Sequence, residues 1–560
     1  MLCPNCGAEN TDQAKFCTVC GAMMETAEAP VCEEACEPIV TETDAAEPVA
    51  EAAPKKDLFA PLKPLLEKVR PLTEKVQPLM EKYKLFVVGG LGILACVVCI
   101  AILCAIFGGG NGYDAYKHEI DYKIKDGQVF IIYDAKKAKA TGLEAESIDE
   151  SQTSIDGKIL VLLTDNGDLA FVKGTKLTKV ATEVEGFMIS ADGTGIVYLA
   201  DDGDDETLYL YNTANKKAKK ITSDFTEDSI AIAPNGDSVC YYEQKEGDDE
   251  PTLMLFKGSK SKKVTSNETY VVGMSNNGKY IYAIAEDDEG ESFLYRYNAN
   301  GNKDKIGPCN APLFYFNEDH TQVIYYNGEG GNYKSYLSIN GKEGKKMSSS
   351  IARPLLPESA QEFQNGYSIT VPAKDLYNKV YVCQNDNNSS VWYIRKNPDK
   401  SVKLVGNASS ITLSEDGKRV FFMSDDELKV LVVKKGDRAA DKAVVLAEDV
   451  EDYVVTSNGK KLYYLSDKAV YCVNAKNGKS KKTVASDEVS SSLYINGKDV
   501  VYFIKDGDAY ATKNGGKAKK VVSDATRLAY TANGIVYVHT EDDIFATAGA
   551  KKPTKVFSKD

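Results

Sequence analysis

A chain of 560 residues exceeds one ordinary domain, and its formal charge of −14 excludes the basic footprint of a general nucleic-acid binder. Thirty-three tyrosines against one tryptophan and three histidines suit half-buried strands and leave almost nothing for histidine-based metal chemistry. Of thirteen cysteines, six lie in the first 36 residues and three near position 100, a distribution that excludes an evenly stapled disulfide scaffold.

The chain opens on Cys3-Pro4-Asn5-Cys6-Gly7 and continues to Cys17-Thr18-Val19-Cys20-Gly21, with ten residues between Cys6 and Cys17. Two such knuckles can bring four thiolates onto one tetrahedral zinc ion, and the glycine after each second cysteine permits a positive φ there. A thioredoxin-like redox reading needs a βαβ pattern that so short a segment cannot supply. The segment resembles the short zinc ribbon at the N-terminus of many bacterial membrane proteins, in its Cys-Pro-x-Cys-Gly opening, Glu9-Asn10 and Lys15-Phe16-Cys17. Residues 1–24 are therefore expected to be a zinc ribbon, with Cys3, Cys6, Cys17 and Cys20 as ligands. Four cysteine ligands leave no open position, so the zinc is structural. Lys15 is the one base of the segment, and no nucleic acid is expected as a partner. Cys32 and Cys36 read as linker cysteines.

Residues 25–54, rich in Glu, Ala, Thr and Pro, read as a disordered acidic linker. In residues 55–84, Leu58, Leu62, Leu65, Val69, Leu72, Val76, Leu79 and Tyr83 follow a heptad seam interrupted by Pro64, Pro71 and Pro78. This juxtamembrane segment reads as kinked helical turns or a passive stalk, and residues 58–83 offer a homodimer contact. Leu85 to Phe107 is a run of twenty-three residues without a charge. As a helix it extends about 34 Å, enough for a hydrocarbon core of about 30 Å. Lys68, Arg70, Lys75, Lys82 and Lys84 precede it, against Lys117, Lys123 and Lys125 after it. The positive-inside rule then places the N-terminus in the cytoplasm and the C-terminal domain outside the cell membrane. Residues 108–118 form a Gly-rich hinge.

From 119 to 560 the sequence repeats. Ser190-Ala191-Asp192-Gly193, Ser414-Glu415-Asp416-Gly417-Lys418 and Asn458-Gly459-Lys460 each precede a Tyr- or Phe-rich strand, an acidic turn, a second strand and a lysine turn. About ten copies recur at 36 to 43 residues, the spacing of four-stranded propeller blades. The Ser-x-Asp-Gly-Lys repeats resemble those of TolB-type propellers, and the resemblance implies an all-β β-propeller region. One large ring and two smaller rings both fit. The spacing stretches to about 58 between His320 and Asn378, with Ser348 to Phe363 fitting no strand, so a division into two rings would fall near 348–376.

No G-x-S-x-G, P-loop or H-E-x-x-H motif is present. His118, His320 and His539 read as structural, and the acidic stretches 201–206 and 286–291 as solvated turns rather than calcium sites. Acidic second-to-third turns and basic third-to-fourth turns should collect on opposite faces of a closed ring. The chain is read as a non-enzymatic, membrane-anchored surface binding, sensing or scaffold protein. Its partners would be a protein or cell-wall polymer at the propeller and a cytoplasmic protein at the ribbon. The alternative is an envelope hydrolase or lyase using propeller-channel carboxylates.

Overall fold

The computed structural model describes residues 117–559, except 202, 204, 205, 246–250, 267, 268, 330, 331, 361, 386, 387, 434–442, 532 and 549–551. The chain divides into two units, Met1–Val97 and Val98–Asp560, and every described residue belongs to the second. The zinc-ribbon cysteines, the linker, the heptad segment and the apolar run Leu85–Phe107 all lie outside the described residues. Among the described residues, no helix is long and apolar enough to cross a membrane.

The repeat folds as an antiparallel meander whose strands differ in burial for a simple reason. Second strands are covered on both faces by neighbouring sheets: all six residues of Ile159–Thr164 are buried. Fourth strands form the outer edge, and in Lys217–Thr222 the first four residues are exposed. Eleven sheets follow one another between Ile120 and Ser558. We number them as blades 1 to 11, with residues 120–144, 148–181, 184–222, 226–265, 270–308, 314–348, 351–405, 409–448, 452–485, 494–522 and 527–558.

The buried side chains form one apolar cluster between each pair of successive blades, as between blades 8 and 9, where Phe421 and Leu428 meet Leu462 and Tyr464. A further cluster joins Ile132 of blade 1 to Ile535, Tyr537 and Val556 of blade 11. The Ala138 N–H also donates to the Val556 carbonyl at 2.7 Å. The last blade therefore packs on the first and closes the ring. Across second and third strands, aromatic pairs stack in register, Tyr198 on Tyr209 and Tyr464 on Tyr471, each with centroids 5.2 Å apart. Cys240, Cys309, Cys383 and Cys472 are free thiols, all buried.

The Ser-x-Asp-Gly-Lys motif is a turn device. Ser154 Oγ donates to Asp156 Oδ1 at 2.9 Å and accepts from the Ile159 N–H, while the Lys158 N–H donates to the same Asp156 oxygen. Ser414, Asp416, Lys418 and Arg419 repeat the pattern. Burial opposes the Asp156 charge, but the hydrogen bonds from Lys158 and Ser154 outweigh it and hold the carboxyl below its usual range. The turn glycine is set by backbone and neighbour together. Gly236 has φ +65°, and a Cβ on the adjoining blade's Gly195 would lie 2.6 Å from the Gly236 Cα.

Two features depart from the sequence reading. Blade 1 is a repeat the sequence did not display, because it has three strands: Ile120–Lys125, Gln128–Tyr133 and Lys139–Glu144. Its last two strands carry the register shift found between third and fourth strands elsewhere, so the absent member is the first strand, with its diagnostic turn. The open edge is blunted locally. The Tyr122 N–H donates to Asp121, and Lys123 Nζ donates to the Tyr122 carbonyl at 2.9 Å. The second departure concerns Ser348 to Phe363, a stretch that fits no strand by sequence. Ile351–Pro354 is a strand after all, the first of blade 7, paired to Lys379–Asn385. The residues between these two strands leave the blade without dividing the ring.

Candidate functional site: a plugged channel

First strands of successive blades adjoin one another, as Thr226–Ile232 adjoins Tyr270–Met274 and Tyr494–Ile495 adjoins Arg527–Tyr530, and they line the centre of the ring. Residues 355–370 of blade 7 enter this centre in two parts. The hairpin Phe363–Asn365 and Ser368–Thr370 adds to blade 6, with the second of these strands parallel to Phe314–Phe316. Ser368 Oγ donates to the Val272 carbonyl of blade 5, and Phe363 packs into the cluster shared by blades 2 and 3. The preceding strap turns the other way. Pro357 bridges Leu413 of blade 8, and Ser359 bonds the Glu415 carboxylate through both its N–H and its hydroxyl.

The two parts create different environments. On the hairpin side, a cleft of about 320 Å³ lies between Phe187, Met188, Ile230 and Ile232 of the first strands and Phe363, Asn365 and Tyr367 of the plug. Its mouth carries Tyr270 and Tyr367, 38% and 50% exposed, with ring centroids 6.1 Å apart. Large exposed aromatics at the edge of an apolar, preformed cleft are the material of a recognition site. At its base His320 is buried, stacks on Phe316 at 4.4 Å and shares a 2.8 Å hydrogen bond between Nε2 and Thr370 Oγ1. Burial lowers its pKa to about 3, so the ring is neutral across the physiological range.

On the strap side the groups are acidic. Glu358 is raised to about 7 by burial and then by the charges of Glu415 and Asp452. Burial also raises Asp452, against hydrogen bonds from the Leu493 and Tyr453 N–H groups. Glu362 is raised to about 7 by burial, with Arg353 opposing. Tyr530, 48% exposed, sits edge-on to Tyr494 at 5.5 Å and feels the charges of Glu358 and Asp452.

Of the residues singled out from sequence, Cys3, Cys6, Cys17 and Cys20 lie outside the described residues. Their donor set, two C-x-x-C pairs of thiolates, fits zinc. Among the described residues no group of three or more His, Cys, Asp or Glu is arranged to hold a metal ion. In the acidic stretch 286–291, Asp287 Oδ1 accepts from the Glu289 and Glu291 N–H groups, and Lys305 reaches its other oxygen at 3.4 Å. His118 pairs with Asp134 at 3.2 Å, and His539 is lowered to about 4 by burial and by Arg527. Sequence reasoning missed Glu358, Asp452, Phe363 and Tyr367. For Glu358, Phe363 and Tyr367 the one signal was the stretched spacing between His320 and Asn378; Asp452 had none.

The zinc-ribbon domain family model matches residues 2–24. No curated protein matches the chain in sequence. TolB from Acinetobacter baumannii is similar over 50% of this chain and 77% of its own, at 15% identity and a TM-score of 0.26. A eukaryotic initiation factor is similar over 67% and 97%, at 9% identity and a TM-score of 0.37. A GH74 enzyme from Niastella koreensis is similar over 79% and 91%, at 11% identity and a TM-score of 0.25. The eleven-bladed β-propeller and the N-terminal zinc ribbon are the architecture on which a function must rest.

Proposed function

We propose that this is a membrane-anchored surface protein whose propeller binds a protein or cell-wall polymer. Leu85–Phe107 would be its transmembrane helix and its ribbon would lie in the cytoplasm. The observation that carries the binding reading is the preformed apolar cleft between the first strands and the plug hairpin, edged by Tyr270 and Tyr367. The anchor rests on the uncharged run and the lysine asymmetry around it. A photocrosslinking side chain at Tyr367 in intact cells tests the binding reading. A discrete adduct is expected, lost on Tyr270→Ala; an adduct indifferent to that change would remove the cleft from the function.

At the ribbon, Cys3, Cys6, Cys17 and Cys20 would hold one zinc ion and contact a cytoplasmic protein. Cys3→Ser should abolish metal retention by the full chain under reducing conditions while leaving the propeller's melting unchanged. Retained stoichiometric zinc would refute the ligand set.

A second reading has one specific observation in its favour. Glu358, raised to about 7 beside Glu415 and Asp452, is a carboxyl that could serve as a general acid near neutral pH in a hydrolase or lyase. Turnover of a cell-wall polymer that disappears in Glu358→Gln would establish it; turnover unaffected by that change would dismiss this carboxyl.

A further inference from the structure

Meander geometry sorts the turns onto two rims, and hydrogen bonds record the sorting. Third-to-fourth turns touch first-to-second turns of their own blade: the Thr213 N–H donates to the Thr194 carbonyl at 2.9 Å and the Ala475 N–H to the Lys460 carbonyl at 3.0 Å. On the other rim, second-to-third turns touch the crossovers between blades, as where the Val184 N–H donates to the Gly167 carbonyl at 3.0 Å.

The lysine turns therefore share one rim, on which Lys217, Lys260, Lys476, Lys479, Lys513 and Lys517 are all exposed. Other lysines of the fourth strands are already committed. Lys179, Lys520 and Lys555 reach back to Asp168, Asp508 and Asp543 at 2.6 to 2.8 Å. None of the six turn lysines has a carboxylate partner among the described residues. Asp156 and Asp416 on this rim are turned into their own turns, while Asp399 and Glu343, in the third-to-fourth turns of blades 7 and 6, are exposed.

Two independent features mark the same rim. Val432, Val444 and Val445, three of the six large apolar residues exposed among the described residues, flank the third-to-fourth turn of blade 8 at 48%, 41% and 41%. The described chain also joins the ring here, where the His118 N–H donates to the Asp156 carbonyl at 3.1 Å. Only residues 108–117 separate Phe107 from that point, a reach of roughly 35 Å at full extension.

We propose that the lysine rim is a docking surface for anionic lipid headgroups, with the blade 8 valines meeting the bilayer interface. Lysines spread around a ring combined with a small apolar contact are the chemistry of a membrane-surface binder. A short tether joined at this rim favours lipid over a soluble polyanion. The assignment of lipid rests in part on the membrane-anchored reading.

The test reconstitutes the full chain in vesicles of phosphatidylcholine alone or mixed with phosphatidylglycerol and follows tryptic cleavage after Lys476, Lys479, Lys513 and Lys517. Anionic lipid should slow cleavage roughly tenfold, and about 0.5 M salt should remove the protection because screening then acts within a few Å. The variant Lys476→Ser/Lys479→Ser/Lys513→Ser/Lys517→Ser should retain its melting temperature and lose the salt-sensitive flotation of unanchored protein with anionic vesicles. Equal cleavage in both lipid compositions overturns docking. Equal protection by dextran sulfate over neutral vesicles overturns the lipid assignment. Extraction of the chain by alkaline carbonate defeats the anchor alone, since flotation still reads the rim.

Discussion

The two halves of the plug share sixteen residues of backbone and make opposite use of them. The hairpin half adds strands to blade 6 and presses Phe363 into a dry cluster. The strap half meets blade 8 through one bridge and a carboxylate, and confines Glu358 beside Glu415 and Asp452. Apolar burial stabilises the first at every pH, whereas the second is stable in proportion to how many of its carboxyls keep their protons. The two halves of the plug thus differ in what holds them, apolar packing in one and protonated carboxyls in the other.

The largest effect should come from the dry half. Phe363→Ala removes a buried aromatic and should cost about 3 kcal/mol, read as faster hydrogen exchange in residues 363–370 and a lower melting temperature. Exchange unchanged in the hairpin would mean that Phe363 does not hold it. In the acidic half the sign reverses with pH. Because Glu358 and Glu362 titrate near 7 in the fold and near 4.5 when unfolded, their contribution is fully present below about 4.5 and is lost as pH rises through 7. Glu358→Gln and Glu362→Gln should therefore stabilise the protein at pH 8 by on the order of 1–3 kcal/mol each and change little at pH 5. A melting shift equal at both pH values would contradict the burial of these carboxyls. The turn aspartates run the other way: Asp156 and Asp416, held low, lose their contribution only as pH falls below the usual carboxylate range. The smallest effect on stability belongs to the cleft mouth. Tyr270→Ala/Tyr367→Ala should stay within about 0.5 kcal/mol of the parent while abolishing ligand capture, and a large loss of stability would recast the pair as structural.

Much of this molecule was legible before its fold. The Asp-Gly turns require positive φ, the second strands are apolar on both faces, and the turn charges alternate with strand order; each is a local property that the chain carries in consecutive residues. Blade 1 escaped notice because it lacks the first strand and turn by which the other copies are recognised. Residues 355–370 were unreadable for a different reason. Their partners, Val272 in blade 5 and Leu413 in blade 8, lie on both sides of them in the chain and come near only when the ring closes.

Sequence by itself determined the repeat, the turn chemistry and the sorting of charge onto two rims, because these follow from the period of a meander. Only the tertiary structure decided that the blades form one ring of eleven and that residues 355–370 reach across to several of them. Ring closure depends on the contact between Ile132 and Val556, and the raised carboxyls on a burial to which several blades contribute. Neither is encoded within any one repeat.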